Sequence, residues 1–365
     1  MRLVVTGGGT GGHAYPALEV AKGGVAQGDE VHFWGSLRGP EKGLSEKAGL
    51  VFCGFASQPV YKVYTPAGIQ SLLRLLKASG QARRKLEDLR PNAIFSTGGY
   101  ASAPVVRAAQ KLGIPFVIHE QNSSPGRTNK ILGQSARAVC TVFQGAEPHF
   151  PKGRVHRTGM PIRAEFRAAD QGRLQFEEGN GRGMRPLVLV MGGSQGSAAL
   201  NDAALATAVR MARTEVEWLH ITGTKHFEST MASKEKMAIK SEYDIRPYIE
   251  SSQMADAMFS CSLAVCRSGA GTLTELAVLR KPAILVPYPY AHSQHQLRNA
   301  EEFQAMGAAE VLVQDDLHAA GLEGRILAWL NDADRQRHAQ QALAAWDIVD
   351  SVPRILKIVK EAAQA

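Results

Sequence analysis

Cysteine is scarce and scattered. Four occur in 365 residues, Cys53, Cys140, Cys261 and Cys266, and only the last two stand close together, which argues against a disulfide or zinc framework. Long apolar runs are missing too. None approaches the roughly 20 residues of a membrane-spanning helix, so membrane contact is expected to be peripheral. Behind one arginine, Leu3-Val4-Val5 opens the chain without the apolar core of about 7–15 residues that marks a secretory signal, and a cytoplasmic location is expected. The 11 histidines show no H-E-x-x-H or comparable ligand spacing, and the one Asp-x-Asp, Asp332-Ala333-Asp334, falls between helical segments, where a solvated helix boundary explains it. Neither a metal nor a cofactor is expected. Basic strands interleaved with aromatics, and helix-turn-helix spacing, are absent, which removes nucleic acid as the expected partner.

What is present points to two α/β domains. With 44% hydrophobic and 21% charged residues, 365 residues exceed what one core accommodates. The 42 Lys+Arg against 34 Asp+Glu give a formal charge of +8, favouring an anionic partner. Short β-branched runs alternate with helix-like segments, at 3–6, 31–34, 93–96, 116–119 and 139–142, and again at 187–191, 218–221, 263–266, 283–286 and 311–313. This predicts two doubly wound parallel sheets. Residues 167–185, polar and glycine-rich, read as a surface excursion. From Trp346 onward, Val349, Val352, Ile355, Leu356 and Val359 recur at helical spacing, predicting an amphipathic helix that crosses back to the first domain.

Three glycine loops follow predicted strands: Gly7-Gly8-Gly9-Thr10-Gly11-Gly12-His13, Gly98-Gly99-Tyr100, and Gly192-Gly193-Ser194-Gln195-Gly196-Ser197. A turn without Cβ atoms that runs into a helix start admits a phosphate or diphosphate to unpaired N–H groups. None carries the lysine of a P-loop, so nucleoside-triphosphate hydrolysis is not expected. Gly7-x-Gly9-x-x-Gly12 does match a dinucleotide fingerprint, but the second strand ends at Trp34-Gly35-Ser36 without the acid such a site places on the ribose. Two domains with phosphate-ready loops suggest two phosphorylated ligands.

These loops, together with His119-Glu120-Gln121-Asn122 and Cys266-Arg267-Ser268-Gly269-Ala270 running to Glu275, resemble the MurG family over nearly the whole chain. Its members transfer N-acetylglucosamine from UDP-N-acetylglucosamine to undecaprenyl-diphosphate-linked N-acetylmuramyl-pentapeptide. The resemblance implies a GT-B architecture, two Rossmann-like domains with parallel sheets facing across a cleft. Residues 1–162, completed by a helix at 346–365, would form the acceptor and membrane-facing domain, and 163–345 the UDP-sugar domain. It further implies that Ser194 lies beneath the donor diphosphate with Arg163 adding charge. Ile249 would contact uracil, Ala270, Gly271, Thr272, Leu273 and Thr274 would flank the nucleotide, Glu275 would bind ribose and Gln296 the sugar hydroxyls. Thr10, Gly11, Gly12 and Asn122 would approach the donor from the first domain, and Gly9, Gly98, Gly99 and Tyr100 would meet the acceptor diphosphate. Ala103 and Met160 stand where relatives commonly have glycine and asparagine, changes that bear on the acceptor side.

An inverting transfer needs a base for the acceptor hydroxyl and stabilisation of the departing UDP. His13 is placed for the first task, or for orienting acceptor phosphate. Glu120 is a second base candidate, or a partner for backbone N–H groups in a turn. Leaving-group charge would fall on the Gly192–Ser194 helix start, without a metal. Ile69, Leu72, Leu73 and Leu76 make a helical apolar face beside Arg74, Lys77, Arg83, Arg84 and Lys85, half of it expected to be core and the rest to dock on anionic lipid at the cytoplasmic face of the inner membrane. The rivals are a transferase with a diacylglycerol acceptor, a UDP-N-acetylglucosamine epimerase, and a non-catalytic nucleotide-sugar scaffold.

Overall fold

A computed structural model of the protein describes residues 1–59, 64–177, 185–193, 195–239 and 242–364. The chain forms two compact units, Met1–Arg163 with Ile348–Ala365, and Ala164–Asp347.

In the first unit the elements run β1 (Arg2–Gly7), α1 (Gly11–Ala26), β2 (Glu30–Ser36), α2 (Glu41–Lys47), β3 (Val51–Phe55), α3 (Pro66–Leu89), β4 (Ala93–Gly98), α4 (Ala103–Leu112), β5 (Phe116–Glu120), α5 (Arg127–Leu132), β6 (Ala138–Thr141) and β7 (Val155–Arg157). Their sheet has the order β3-β2-β1-β4-β5-β6-β7, and every pairing is parallel. Helices cover both faces, so the central strands are apolar on both sides. Along β1, Leu3 and Val5 face one core with α1, while Val4 faces another with Trp34, Phe55, Ala78 and Leu86.

The second unit continues with α6 (Ala164–Glu177), β8 (Leu187–Met191), α7 (Ala198–Arg210), β9 (Glu217–Ile221), α8 (Phe227–Lys236), β10 (Tyr243–Arg246), α9 (Ser251–Ser260), β11 (Leu263–Cys266), α10 (Ala270–Val278), β12 (Ala283–Leu285), α11 (His295–Ala305), β13 (Ala309–Val311), α12 (Ala319–Asn331) and α13 (Ala333–Trp346). Its sheet is parallel throughout, in the order β10-β9-β8-β11-β12-β13. The chain then returns to the first unit as α14 (Ser351–Gln364), whose Ile355, Leu356 and Val359 join the Leu3 and Val5 core. The two-sheet α/β architecture is therefore as the strand pattern predicts.

Several expectations need correction. Residues 164–177 are helix rather than the start of a surface excursion, anchored by the wholly buried Phe166. Residues 178–184 of that stretch lie outside the described residues. The C-terminal helix starts at Ser351, not near Trp346, and Val349 precedes it with 74% of its surface exposed. On α3 the inward face is made of small residues, Gly68, Ser71, Ala78, Ser79 and Ala82, with Leu86. A face of small side chains lets the helix approach closely and leaves the leucines outside. Ile69, Leu73 and Leu76 are exposed and Leu72 is half-buried, so much less of that face is core than the spacing suggested.

Candidate active site

In each sheet the strand order reverses beside the first strand, between β1 and β4 and between β8 and β11. Ligands of open parallel sheets bind beyond the carboxyl ends of the strands at such a point. All three glycine loops leave those ends.

In the first unit, Thr10 N-caps α1 in an extended conformation with no side-chain capping hydrogen bond, and no acidic residue occupies the first turn. This leaves the helix start suited to an anion. The loop after β4 presses against the loop after β1: Gly99 has φ +80°, and a Cβ there would collide with the Gly8 carbonyl. Only glycine tolerates both that conformation and that approach.

His13 is fixed by this contact. Its Nδ1 lies 2.9 Å from the Thr97 carbonyl, and the Thr97 hydroxyl donates back to the His13 carbonyl at 2.8 Å. A carbonyl only accepts, so Nδ1 carries a proton and Nε2 is the ring nitrogen left to act as an acceptor. Gln121 braces the same carbonyl, its Nε2 donating to Thr97 O at 2.9 Å, and the amide stands 3.0 Å from His119 Nδ1. His119 Nε2 donates in turn to Gly159 O at 2.9 Å. Burial drives the His119 pKa down to about 4, so this ring stays neutral.

Glu120 is buried, and its carboxyl is surrounded by donors. Oε1 accepts from the Asn122 N–H at 2.9 Å and from its side chain at 3.4 Å, and Oε2 accepts from Gly126 N at 3.1 Å and Asn129 Nδ2 at 2.9 Å. This geometry matches the turn-holding alternative of the sequence reading. The N–H of Gly9, expected to face the acceptor diphosphate, donates to Glu41 Oε1 at 2.5 Å, and the Tyr100 ring closes over Gly9. Arg163 lies over the Tyr15 ring, 5.3 Å from its centroid.

In the second unit, Ser197 caps α7, its hydroxyl accepting from Leu200 N at 3.4 Å. Ser194, expected beneath the donor diphosphate, lies outside the described residues. Arg267 ties this loop to its neighbours. One guanidinium nitrogen donates to Ser197 Oγ and Gln314 Oε1, both at 2.7 Å, and another to the carbonyls of Val286 and Pro287, both at 3.1 Å. Behind the loop runs a buried chain. The Tyr243 hydroxyl is 2.8 Å from His220 Nδ1, His220 Nε2 is 3.0 Å from Asn201 Oδ1, and Asn201 Nδ2 donates to Thr222 O at 3.2 Å. Burial lowers the His220 pKa to about 3.

The expected donor residues from Ala270 to Glu275 lie on α10, and Gln296 lies on α11. Gly269 caps α10 in an extended conformation, and Ala270, Gly271, Thr272 and Glu275 follow within its first two turns. Leu273 and Thr274 are turned into the core, the Thr274 hydroxyl donating to Ala270 O at 2.9 Å. Ile249 is buried in the loop after β10. Gln296 uses its amide oxygen to accept from Tyr288 N at 2.9 Å. Its carbonyl accepts from Ser268 Oγ at 2.8 Å, and Asn299 Nδ2 donates to Ser268 O at 3.2 Å, which seats α11 against the Ser268 loop. Before α11, Ser293 and Gln294 both adopt left-handed conformations, φ +53° and +52°, a strained pair of the kind that clusters at functional sites. The Asp332 and Asp334 pair serves α13, Asp332 accepting from Arg335 N at 2.9 Å and Asp334 pairing with Arg337.

Sequence reasoning assigned no role to Thr97, Gln121, Asn129, Arg267, Asn201 or His220. Most lie in or beside the motifs, but their task is to hold other groups, which spacing alone does not reveal.

Comparison with known proteins agrees along the whole chain. The glycosyltransferase family 28 N-terminal domain matches residues 3–141 and its C-terminal domain residues 187–353. The chain is 33% identical over 363 residues to a Bacillus licheniformis protein named UDP-N-acetylglucosamine--N-acetylmuramyl-(pentapeptide) pyrophosphoryl-undecaprenol N-acetylglucosamine transferase, covering 99% of this chain and 98% of that one. A Bacillus cytotoxicus protein of the same name is 33% identical over 364 residues, with 99% of each chain covered. Among solved structures, Acinetobacter baumannii MurG superposes with a TM-score of 0.78 at 27% identity over 99% of both chains.

Proposed function

The chain belongs to glycosyltransferase family 28, and from that premise we propose that it transfers N-acetylglucosamine from UDP-N-acetylglucosamine to undecaprenyl-diphosphate-linked N-acetylmuramyl-pentapeptide, lipid I, giving lipid II for peptidoglycan. The observation that carries this reading is the end-to-end 33% identity with the named transferases. The paired α/β units with a glycine loop after the first strand of each support it physically.

The acceptor hydroxyl is the 4-hydroxyl of the muramyl sugar, and His13 is the base that takes its proton. Its Nδ1–H is held by Thr97 O, which leaves Nε2 as the only ring atom able to accept. Glu120 holds the turn at Asn122, Gly126 and Asn129 rather than moving a proton. The second unit holds the donor, with Glu275 on ribose, a role suited to a carboxylate that accepts two hydroxyl protons, and Gln296 on the sugar. Charge developing on UDP is received by the start of α7 and its glycine loop without a metal, and direct displacement by the acceptor hydroxyl inverts the anomeric centre.

The enzyme works as a peripheral protein at the cytoplasmic face of the membrane. No helix among the described residues is long and apolar enough to cross a bilayer. The exposed Ile69, Leu73 and Leu76 of α3, with Arg74 and Lys77 beside them, supply an amphipathic anchor.

Labelled UDP-N-acetylglucosamine supplied with a synthetic muramyl-diphosphoryl lipid tests the reading. Label is expected in a lipid-linked disaccharide, with chelator present as well as without. Failure to label the lipid would sink the transfer, formation of UDP-N-acetylmannosamine alone would favour an epimerase, and loss of turnover on chelation would end the metal-free mechanism.

A further inference from the structure

Glu41, the first residue of α2, is completely buried, yet among the described residues only one of its carboxyl oxygens is used. Oε1 accepts the Gly9 N–H at 2.5 Å, while Oε2 is buried without a hydrogen-bond partner among the described residues. Burying a carboxyl with an idle oxygen is costly, and the bond from its other oxygen to Gly9 is what offsets that cost. The surroundings are shaped around it. A Cβ on Gly8 or on Gly39 would overlap the carboxyl, and one on Gly35 would stand 3.1 Å from the Glu41 Cβ.

Among the described residues, the other bonds to the loop it grips come from one direction. Gly8 N reaches Gly98 O at 3.4 Å, the Gly8 carbonyl abuts Gly99, and His13 is joined twice to Thr97, all on the β4 side. Glu41 reaches the loop from α2. Gly8 and Gly9, at φ +152° and +85°, have the widest conformational freedom of any residue type and need an outside bond to stay in one state.

We propose that Glu41 is a positioning residue for the transfer: through the Gly9 N–H it fixes the glycine loop that carries His13, and so sets where Nε2 meets the acceptor hydroxyl. The bond needs an acceptor oxygen, not a charge. The inference rests on the reading of His13 as the base.

Steady-state kinetics with UDP-N-acetylglucosamine and the lipid acceptor test it in five variants: Glu41→Ala, Glu41→Gln, Gly39→Ala, His13→Ala, and Glu41→Ala combined with His13→Ala. Glu41→Ala is expected to lower kcat about 10- to 100-fold, the effect of a misplaced reacting group, with KM for UDP-N-acetylglucosamine unchanged. Gly39→Ala pushes the carboxyl off Gly9 without removing it and is expected to do the same. Glu41→Gln keeps an oxygen for Gly9 and is expected to restore most of the activity. The double variant is expected to be no slower than His13→Ala.

A Glu41→Gln enzyme as impaired as Glu41→Ala overturns the inference, as does near-normal kcat in both Glu41→Ala and Gly39→Ala. If Glu41→Ala does not fold, Gly39→Ala and Glu41→Gln decide between the same outcomes. An impaired His13→Ala that Glu41→Ala slows further overturns this inference alone. A fully active His13→Ala sinks the base assignment, and this inference with it.

Discussion

Arg167 and Asp347 form a two-pronged ion pair, Nη2 to Oδ1 at 2.9 Å and Nη1 to Oδ2. One residue lies just after the chain enters the second unit and the other just before it leaves, so the pair ties both ends of that unit together. Arginine suits the task because its planar fork matches a carboxylate. The side chains are 20% and 9% exposed, a setting where removing one partner strands a largely desolvated charge. Arg167→Ala is expected to lower the unfolding free energy by about 1–3 kcal/mol, read from urea denaturation. A change under about 0.5 kcal/mol would show the pair to be no better than a surface contact.

His13→Gln is expected to lower kcat by about 10²–10⁴-fold, the usual worth of a positioned base, while calorimetric affinity for UDP-N-acetylglucosamine stays unchanged. A variant that loses donor affinity in proportion to its rate would move His13 from proton transfer to ligand binding.

Acid is expected to weaken the fold through two buried histidines. His119 and His220 are neutral in the native protein, with pKa values near 4 and 3 because of burial, against about 6.5 in an unfolded chain. Unfolding therefore takes up protons that the native state refuses. Their contribution is intact above about pH 6.5 and is lost as pH falls from there to about 4 for His119 and about 3 for His220, at a limiting slope near 1.4 kcal/mol per pH unit for each histidine. Unfolding free energies measured from pH 7.5 to 4.5 test this; a flat profile across that span contradicts neutral burial of both rings.

Replacing Ile69, Leu73 and Leu76 together with serine is expected to weaken sedimentation with vesicles rich in anionic lipid by at least about tenfold. Each exposed aliphatic side chain lost from the interface forfeits roughly 1 kcal/mol or more of apolar burial. The melting temperature should hold, since these side chains are exposed. Equal vesicle binding by the variant would leave α3 without a membrane role.

The part of the fold that the sequence pattern conveyed is the part buried on both faces. Central strands such as β1, β4, β8 and β11 announce themselves as short apolar runs, because helices cover them on either side. The strands that went unread are β3, β7 and β10, and each lies at a sheet edge. β7, Val155-His156-Arg157, is three residues long and never fully buried; an edge strand needs polar or exposed positions, and these erase the hydrophobic signal. The fourth edge, β13, was placed two residues late for the same reason.

Site residues divide in a similar way. The glycine loops were legible because close approach and left-handed backbone exclude other residue types at Gly98 and Gly99. Support by Gln121, Asn129 and Asn201 was not, since an amide that braces a carbonyl across 10 to 24 positions leaves no periodic trace. Glu41 was hidden most thoroughly: its bond to Gly9 spans 32 residues, and in a list of residues it is one more charged side chain at a helix start.

The return of α14 fixes an order of events during synthesis. The ribosome completes the first unit's sheet, then makes all of the second unit, and only afterwards supplies Ile355, Leu356 and Val359, which close the core beside Leu3, Val5, Val20 and Phe95. The unit begun first is thus finished last. While residues 164–347 are being made, that apolar face lacks its cover, and a ribosome stalled anywhere in this stretch holds an open sheet for chaperones to guard or proteases to find.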